Sequence, residues 1–160
     1  MSVTVCEAIA VVIQERLEEL ISGSELTQVV EVIRPTVRGD FTPQDNQIVI
    51  TVGDTQEIPE LLCPGNPPAI CWETTYSVRC RIMPSESDTD EKSKLTSQFF
   101  ADVIKAITTP QESWYQFDGN AINARLGAIE NNNSESFEGV TVPLLVQYRT
   151  DENDPYTVRA

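Results

Sequence analysis

The sequence predicts an α+β domain: an antiparallel or mixed sheet of about five strands with two helices packed on one face. Two stretches repeat their apolar residues with helical period. Other stretches alternate apolar and polar residues with period two. In chain order they run helix, two strands, long loop, strand, helix, two strands, which suits one sheet with its helices segregated to one side. At 160 residues the chain is expected to form one domain over 1–160 and to bury a core without disulfide or metal staples.

Residues 4–22 form the first predicted helix. Val5, Ala8, Ile9, Val12, Ile13, Leu17, Leu20 and Ile21 make one stripe, and Glu15, Arg16, Glu18 and Glu19 cover the opposite side. Thr4 and Glu7 have capping-box spacing, and Gly23 stands where a helix commonly ends. Two short strands are expected at 28–34 and 47–52, the second closed by the turn pair Gly53-Asp54. Residues 53–71 then read as a long irregular connection, because Pro59, Pro64, Pro67 and Pro68 interrupt regular structure. Leu61, Leu62 and Ile70 are too apolar for a free linker and are expected to pack on the domain or on a neighbour.

Residues 72–83 give the clearest strand. Trp72, Thr74, Tyr76, Val78, Cys80 and Ile82 fall on one face, with Glu73, Thr75, Ser77, Arg79 and Arg81 on the other. The second helix spans about 89–108, with Asp88 as its expected N-cap and a stripe of Leu95, Phe99, Val103, Ala106 and Ile107. A hairpin closes the domain. Its strands are 121–130 and 140–149, and its polar tip is 131–139. Pro143 within the second of these places that strand at an edge, or turns the position of its missing N–H toward solvent or a bulge, and residues 150–160 are expected to form a loose tail.

Composition excludes several mechanisms. The chain has no histidine, so Ser-His-Asp and Cys-His catalysis and imidazole metal ligation are ruled out. A net charge of -14 opposes electrostatic binding to DNA or to an anionic membrane. There is no phosphate-binding glycine loop. The acids Glu86, Asp88, Asp90 and Glu91 suit helix capping better than an EF-hand, and Asp151, Glu152 and Asp154 suit a solvated tail. No enzymatic activity, cofactor or metal is expected. Cys6 and Cys80 lie on apolar faces as expected free thiols, and Cys63 and Cys71 bracket one loop with a disulfide as the lesser alternative. No positive region precedes the first apolar stretch, so synthesis in the cytoplasm is the expectation.

The candidate residues are therefore ones that make contacts. Arg79 and Arg81 share the polar face of the best strand, and Arg34, Arg125 and Arg149 lie near the ends or outer faces of others. They pair either with acids of their own chain, such as Glu31 or Glu73, or with acids of another subunit. Trp114, Tyr115 and Phe117 sit in the loop-like TPQESWYQFDGN, either tucked beneath it or serving as interface anchors. Pro143, with Leu145 beside it in the outward register, points to a covered edge. The candidate interface is thus Arg79, Arg81, Trp114, Tyr115, Phe117, Pro143, Leu145 and Arg149.

Taken in order, IAVVIQERLEELI, a strand ending VIRP, PQDNQIVITVGD, WETTYSVRCRI, the helix LTSQFFADVIKAI and the closing VTVPLLVQYR cover nearly the whole chain. This order of elements resembles the tail-terminator (minor tail, or tail-completion) proteins of long-tailed bacteriophages. The chain departs from the bare pattern in its Pro- and Cys-rich 55–71 insertion and its Asn-rich hairpin tip. The resemblance implies a ring, commonly a hexamer, at the head-proximal end of the tail tube in the virion. Such a ring stops tube polymerisation and offers a joining surface to the head or neck. The implied partners are copies of the chain itself, the tail-tube protein and a neck or connector protein. DNA passes through the opening without specific binding, and no membrane is involved. An acidic bore would let DNA slide. The alternative within this class is a neck adaptor ring. Two other classes compete: a pocketed domain using paired carboxylates, and an acidic mimic of nucleic acid.

Overall fold

The computed structural model describes residues 3–23, 31–34, 43–44, 46–82, 89–131 and 138–159. Helix α1 spans Val5–Gly23 and α2 spans Thr89–Ile107. The strands are β1 (Glu31–Ile33), β2 (Gln47–Glu57), β3 (Ala69–Ile82), β4 (Asn123–Leu126), β5 (Glu130–Asn131), β6 (Glu138–Asp151) and β7 (Asp154–Val158). Single 3-10 turns occupy Pro59–Leu61 and Trp114–Gln116.

The predicted α+β class holds, with a mixed sheet of seven strands where about five were expected. The sheet runs β1-β2-β3-β6-β4, and β5 and β7 also pair with β6. β1 is parallel to β2, and every other pairing is antiparallel. β3 and β6 form the central ladder, from Ala69 opposite Asp151 to Ile82 opposite Glu138. Alternation makes this ladder two-sided. Tyr76, Val78, Cys80 and Ile82 of β3 and Val140, Val142, Leu144 and Val146 of β6 are buried in one core with Ile48 and Ile50 of β2. The helices supply the facing layer. Val5, Ile9, Ala10, Val12, Ile13 and Leu17 come from α1, and Phe99, Val103 and Ile107 from α2. Each of the buried Val, Leu, Ile and Phe side chains stabilises the fold by roughly 1.5–3 kcal/mol through the apolar surface it removes from water.

The start of α1 follows its sequence. The Glu7 N–H donates to Thr4 Oγ1 at 3.2 Å, and the Ala8 N–H donates to the Thr4 carbonyl at 2.9 Å. Arg34, just beyond β1, forms an ion pair with Glu7, which ties the parallel edge strand to α1. The predicted strand start at 28–30, the Asp88 cap, Glu86 and hairpin-tip residues 132–137 lie outside the described residues.

Four expectations are corrected. β2 does not stop at Gly53-Asp54 but continues to Glu57 through a bulge between Val52 and Thr55. Glycine suits this bulge, because a Cβ on Gly53 would stand 3.0 Å from the Thr75 carbonyl oxygen and the neighbouring backbone would have to give by a few tenths of an ångström. The irregular connection therefore shrinks to residues 58–68 and is pinched by an antiparallel bridge between Cys63 and Ala69. The predicted strand 121–130 is broken after Leu126 and resumes only at Glu130. The expected loose tail is instead β7, which pairs with the end of β6.

The fourth correction concerns only the edge alternative for Pro143. β6 is an interior strand, with β3 on one side and β4, β5 and β7 on the other. Within a strand, the N and C=O of one residue point to the same side. The Pro143 carbonyl accepts from the Gly127 N–H at 2.8 Å, so the position of its missing N–H faces the gap between β4 and β5, away from β3. A proline fits the sheet's interior because its outer neighbour is interrupted there. Gly127 makes this possible: a Cβ on it would stand 2.8 Å from Pro143 Cγ and 3.2 Å from Leu145 Cδ1.

Candidate functional site

The face of the sheet turned away from the helices collects most of the predicted contact residues. Register places Gln47, Val49 and Thr51 of β2 beside Arg81, Arg79 and Ser77 of β3. Continuing across, Arg79, Ser77, Thr75, Glu73 and Cys71 oppose Thr141, Pro143, Leu145, Gln147 and Arg149 of β6. Arg125 of β4 lies opposite Leu145. Three candidate arginines, with Pro143 and Leu145, therefore share one surface.

These arginines lie along the sheet, with the Nε atoms of Arg79, Arg81 and Arg149 buried. Val49 is only 3% exposed although it points away from the helix layer and belongs to this face. It pairs with Arg79, whose aliphatic stem can cover an apolar neighbour while its charged head stays near water. Arg79 and Arg81 take part in interactions within the chain. Arg149 Nε has no hydrogen-bond partner among the described residues. The acids suggested as arginine partners are held by amides instead. Gln47 Nε2 donates to Glu31 at 2.7 Å, and Gln147 Nε2 donates to Glu73 at 3.2 Å.

The aromatic loop is tucked inward. Phe117 is fully buried in the core, so its side chain is not available as an anchor for a neighbour. It sits in a left-handed conformation at φ 45°, and Trp114 meets it edge-on with ring centroids 6.3 Å apart. Tyr115 stacks edge-on against Trp114 and remains half-buried. Arg16 locks the loop to α1. Its Nη1 donates to the carbonyls of Ile107 at 2.8 Å and Trp114 at 3.1 Å, and its guanidinium lies 4.8 Å from the Phe117 ring centre. Burial lowers the Arg16 pKa, partly offset by Asp118.

A cleft of about 430 Å³ opens where the start of α1 meets the ends of β2, β3 and β6. Thr4, Cys6, Thr55, Trp72, Tyr148 and Thr150 are among its lining residues. Beside it, the Thr74 hydroxyl lies 2.7 Å from that of Thr55 and 3.2 Å from that of Tyr148. Trp72 Nε1 donates to Thr150 Oγ1 at 3.0 Å, and the Tyr76 hydroxyl donates to the Cys6 carbonyl at 2.8 Å. Burial raises the pKa of both tyrosines, so they stay neutral hydrogen-bonding groups. The one sequence signal for this network was Thr74, a hydroxyl within an otherwise apolar alternation.

The four cysteines are free thiols. Cys71 is fully buried on the helix-free face, and burial raises its pKa against the lowering effect of Arg149. Among the described residues, no three His, Cys, Asp or Glu side chains are grouped as a metal site would need, and no helix is long and apolar enough to cross a membrane. The chain matches no known protein-family model and no curated protein.

Proposed function

We propose that the chain is a structural subunit of a bacteriophage tail. It forms a ring, of six copies in the pattern it resembles, that caps the head-proximal end of the tail tube. One observation carries this reading. Both helices pack on a single face of a seven-stranded sheet, and the other face, bearing Arg79, Arg81, Arg125 and Arg149, has no helix over it among the described residues. A helix-free face is what a subunit needs to stand beside copies of itself. The net charge of -14 suits a bore through which DNA slides without sticking. Contacts with tail-tube and neck proteins follow from the same role, and none of it requires bond-making by the chain.

The test is mass determination in solution, alone and with tail-tube protein. The reading expects a closed oligomer, or a monomer that closes into a ring on the tube end. A strict monomer that never associates with tube or neck contradicts it. Electron microscopy of assembled particles separates a terminator at the tube end from an adaptor in the neck.

A further inference from the structure

The outer strands of the sheet are finished differently. The Gly127 N–H points to β6, so Arg125 and Asn123 do likewise, and Ala124 turns its peptide groups outward. That outward Ala124 N–H is taken by the chain's own Asn123 Oδ1 at 3.0 Å. On β7, the Tyr156 N–H is taken by Asp154 Oδ1, also at 3.0 Å. A side chain folded back onto a backbone donor blunts a strand edge against further pairing.

Among the described residues, β2 lacks such protection beyond its short pairing with β1, which covers only Gln47–Val49. The Ile58 N–H donates to the Cys71 carbonyl at 2.9 Å, which fixes the phase of the strand. Gln56 and Ile58 turn their peptide groups toward β3, so Thr55 and Glu57 turn theirs outward. No described residue meets those outward groups. The surroundings have one sign of charge. Residues 53–62 contain Asp54, Glu57 and Glu60 and no Lys or Arg, and all three acids are exposed. Just beyond them, Leu61 and Leu62 are 38% and 48% exposed.

We propose that the outer edge of β2 at Thr55–Glu57, with Leu61 and Leu62 beyond it, accepts an extended Lys- or Arg-bearing segment of another protein as an added strand. The outward peptide groups supply the hydrogen bonds, the three acids select a basic partner, and the leucines receive an apolar side chain. A second copy is the poorer occupant. Pairing this edge with itself sets acid against acid, and the outward Ala124 donor of the β4 edge is already satisfied. The inference goes beyond the ring reading and holds whatever the oligomeric state.

The test uses the full chain, isotope-labelled for NMR, with an eight-residue peptide alternating lysine and valine. A control peptide carries glutamate in place of lysine. The Thr55 and Glu57 amides are expected to shift and to gain exchange protection with the lysine peptide, and the glutamate peptide is expected to bind at least about ten-fold more weakly. Glu57→Pro removes an outward N–H without touching a bond to β3 and is expected to abolish binding with the fold intact. If that variant does not fold, Glu57→Lys combined with Glu60→Lys is expected to reverse the preference between the two peptides. The proposal is overturned if the lysine peptide leaves these amides unmoved, if both peptides bind equally, or if folded Glu57→Pro still binds. It is also overturned if Glu57→Pro lowers the mass of the protein alone, which would assign the edge to a second copy.

Discussion

β3 and β6 present two faces made from the same pair of strands, and the two faces do different work. On the helix-covered face, Tyr76, Val78, Leu144 and Val146 are fully buried and interlock with α1 and α2. On the other, Ser77, Arg79, Thr141, Pro143 and Leu145 are half-buried and meet no helix among the described residues. The first face specifies the fold through volume. The second is made of half-buried, mostly polar side chains, with Arg79 and Arg81 engaged within the chain and Pro143 seated against Gly127. Substitutions should therefore cost much on one face and little on the other.

The largest effect is expected on the covered face. Leu144→Ala should lower stability by about 2–5 kcal/mol in urea unfolding, because a fully buried side chain leaves a cavity that the sheet cannot close. A loss below 1 kcal/mol would erase the distinction between the faces. pH probes the same face. Burial pushes the Cys80 thiol from 9.0 up to about 12. A folded-state pKa above the unfolded value means the contribution is complete below pH 9 and is lost as pH rises toward 12. Between pH 9 and 11 this thiol alone should cost about 2 kcal/mol, and Cys80→Ala should flatten that part of the profile. Tyr76, also raised by burial, acts in the same direction at higher pH. Unfolding free energies at pH 8 and 11 check this.

Smaller effects belong to the helix-free face. Gly127→Ala should destabilise by about 1–3 kcal/mol, because the new methyl group runs into the Pro143 ring. Arg149→Met should change stability by no more than about 0.5 kcal/mol, since it keeps the aliphatic stem and removes a buried Nε that has no partner. A large loss from Arg149→Met would mean that this face, too, holds the fold together.

The same contrast explains what was legible in the sequence. The α1 stripe and the alternation from Trp72 to Ile82 were readable because periodic burial leaves periodic residues. β7 was not, since Asp154–Val158 is short and polar and gains its partner only where β6 ends. The far half of β2 was hidden by Gly53-Asp54, which signals a turn in isolation and makes a bulge here, against Thr75. Pro143 marked an edge by local rules, but the break in its outer neighbour at Gly127 let it into the interior. The arginine face was foreseeable from alternation once strands adjoin. The cleft hydroxyls were not, because Thr55, Thr74, Tyr148 and Thr150 come from three strands far apart in sequence. Phe117 was ambiguous because loop composition does not show that Arg16 will pin the loop to the core.

The most direct test of the assembly role is tube length. Purified tail-tube protein is polymerised with and without this chain, and tube lengths are measured by electron microscopy. The account predicts that the chain halts growth and leaves a ring of density at one end of each tube. Tubes that grow equally long in its presence, with bare ends, would contradict it.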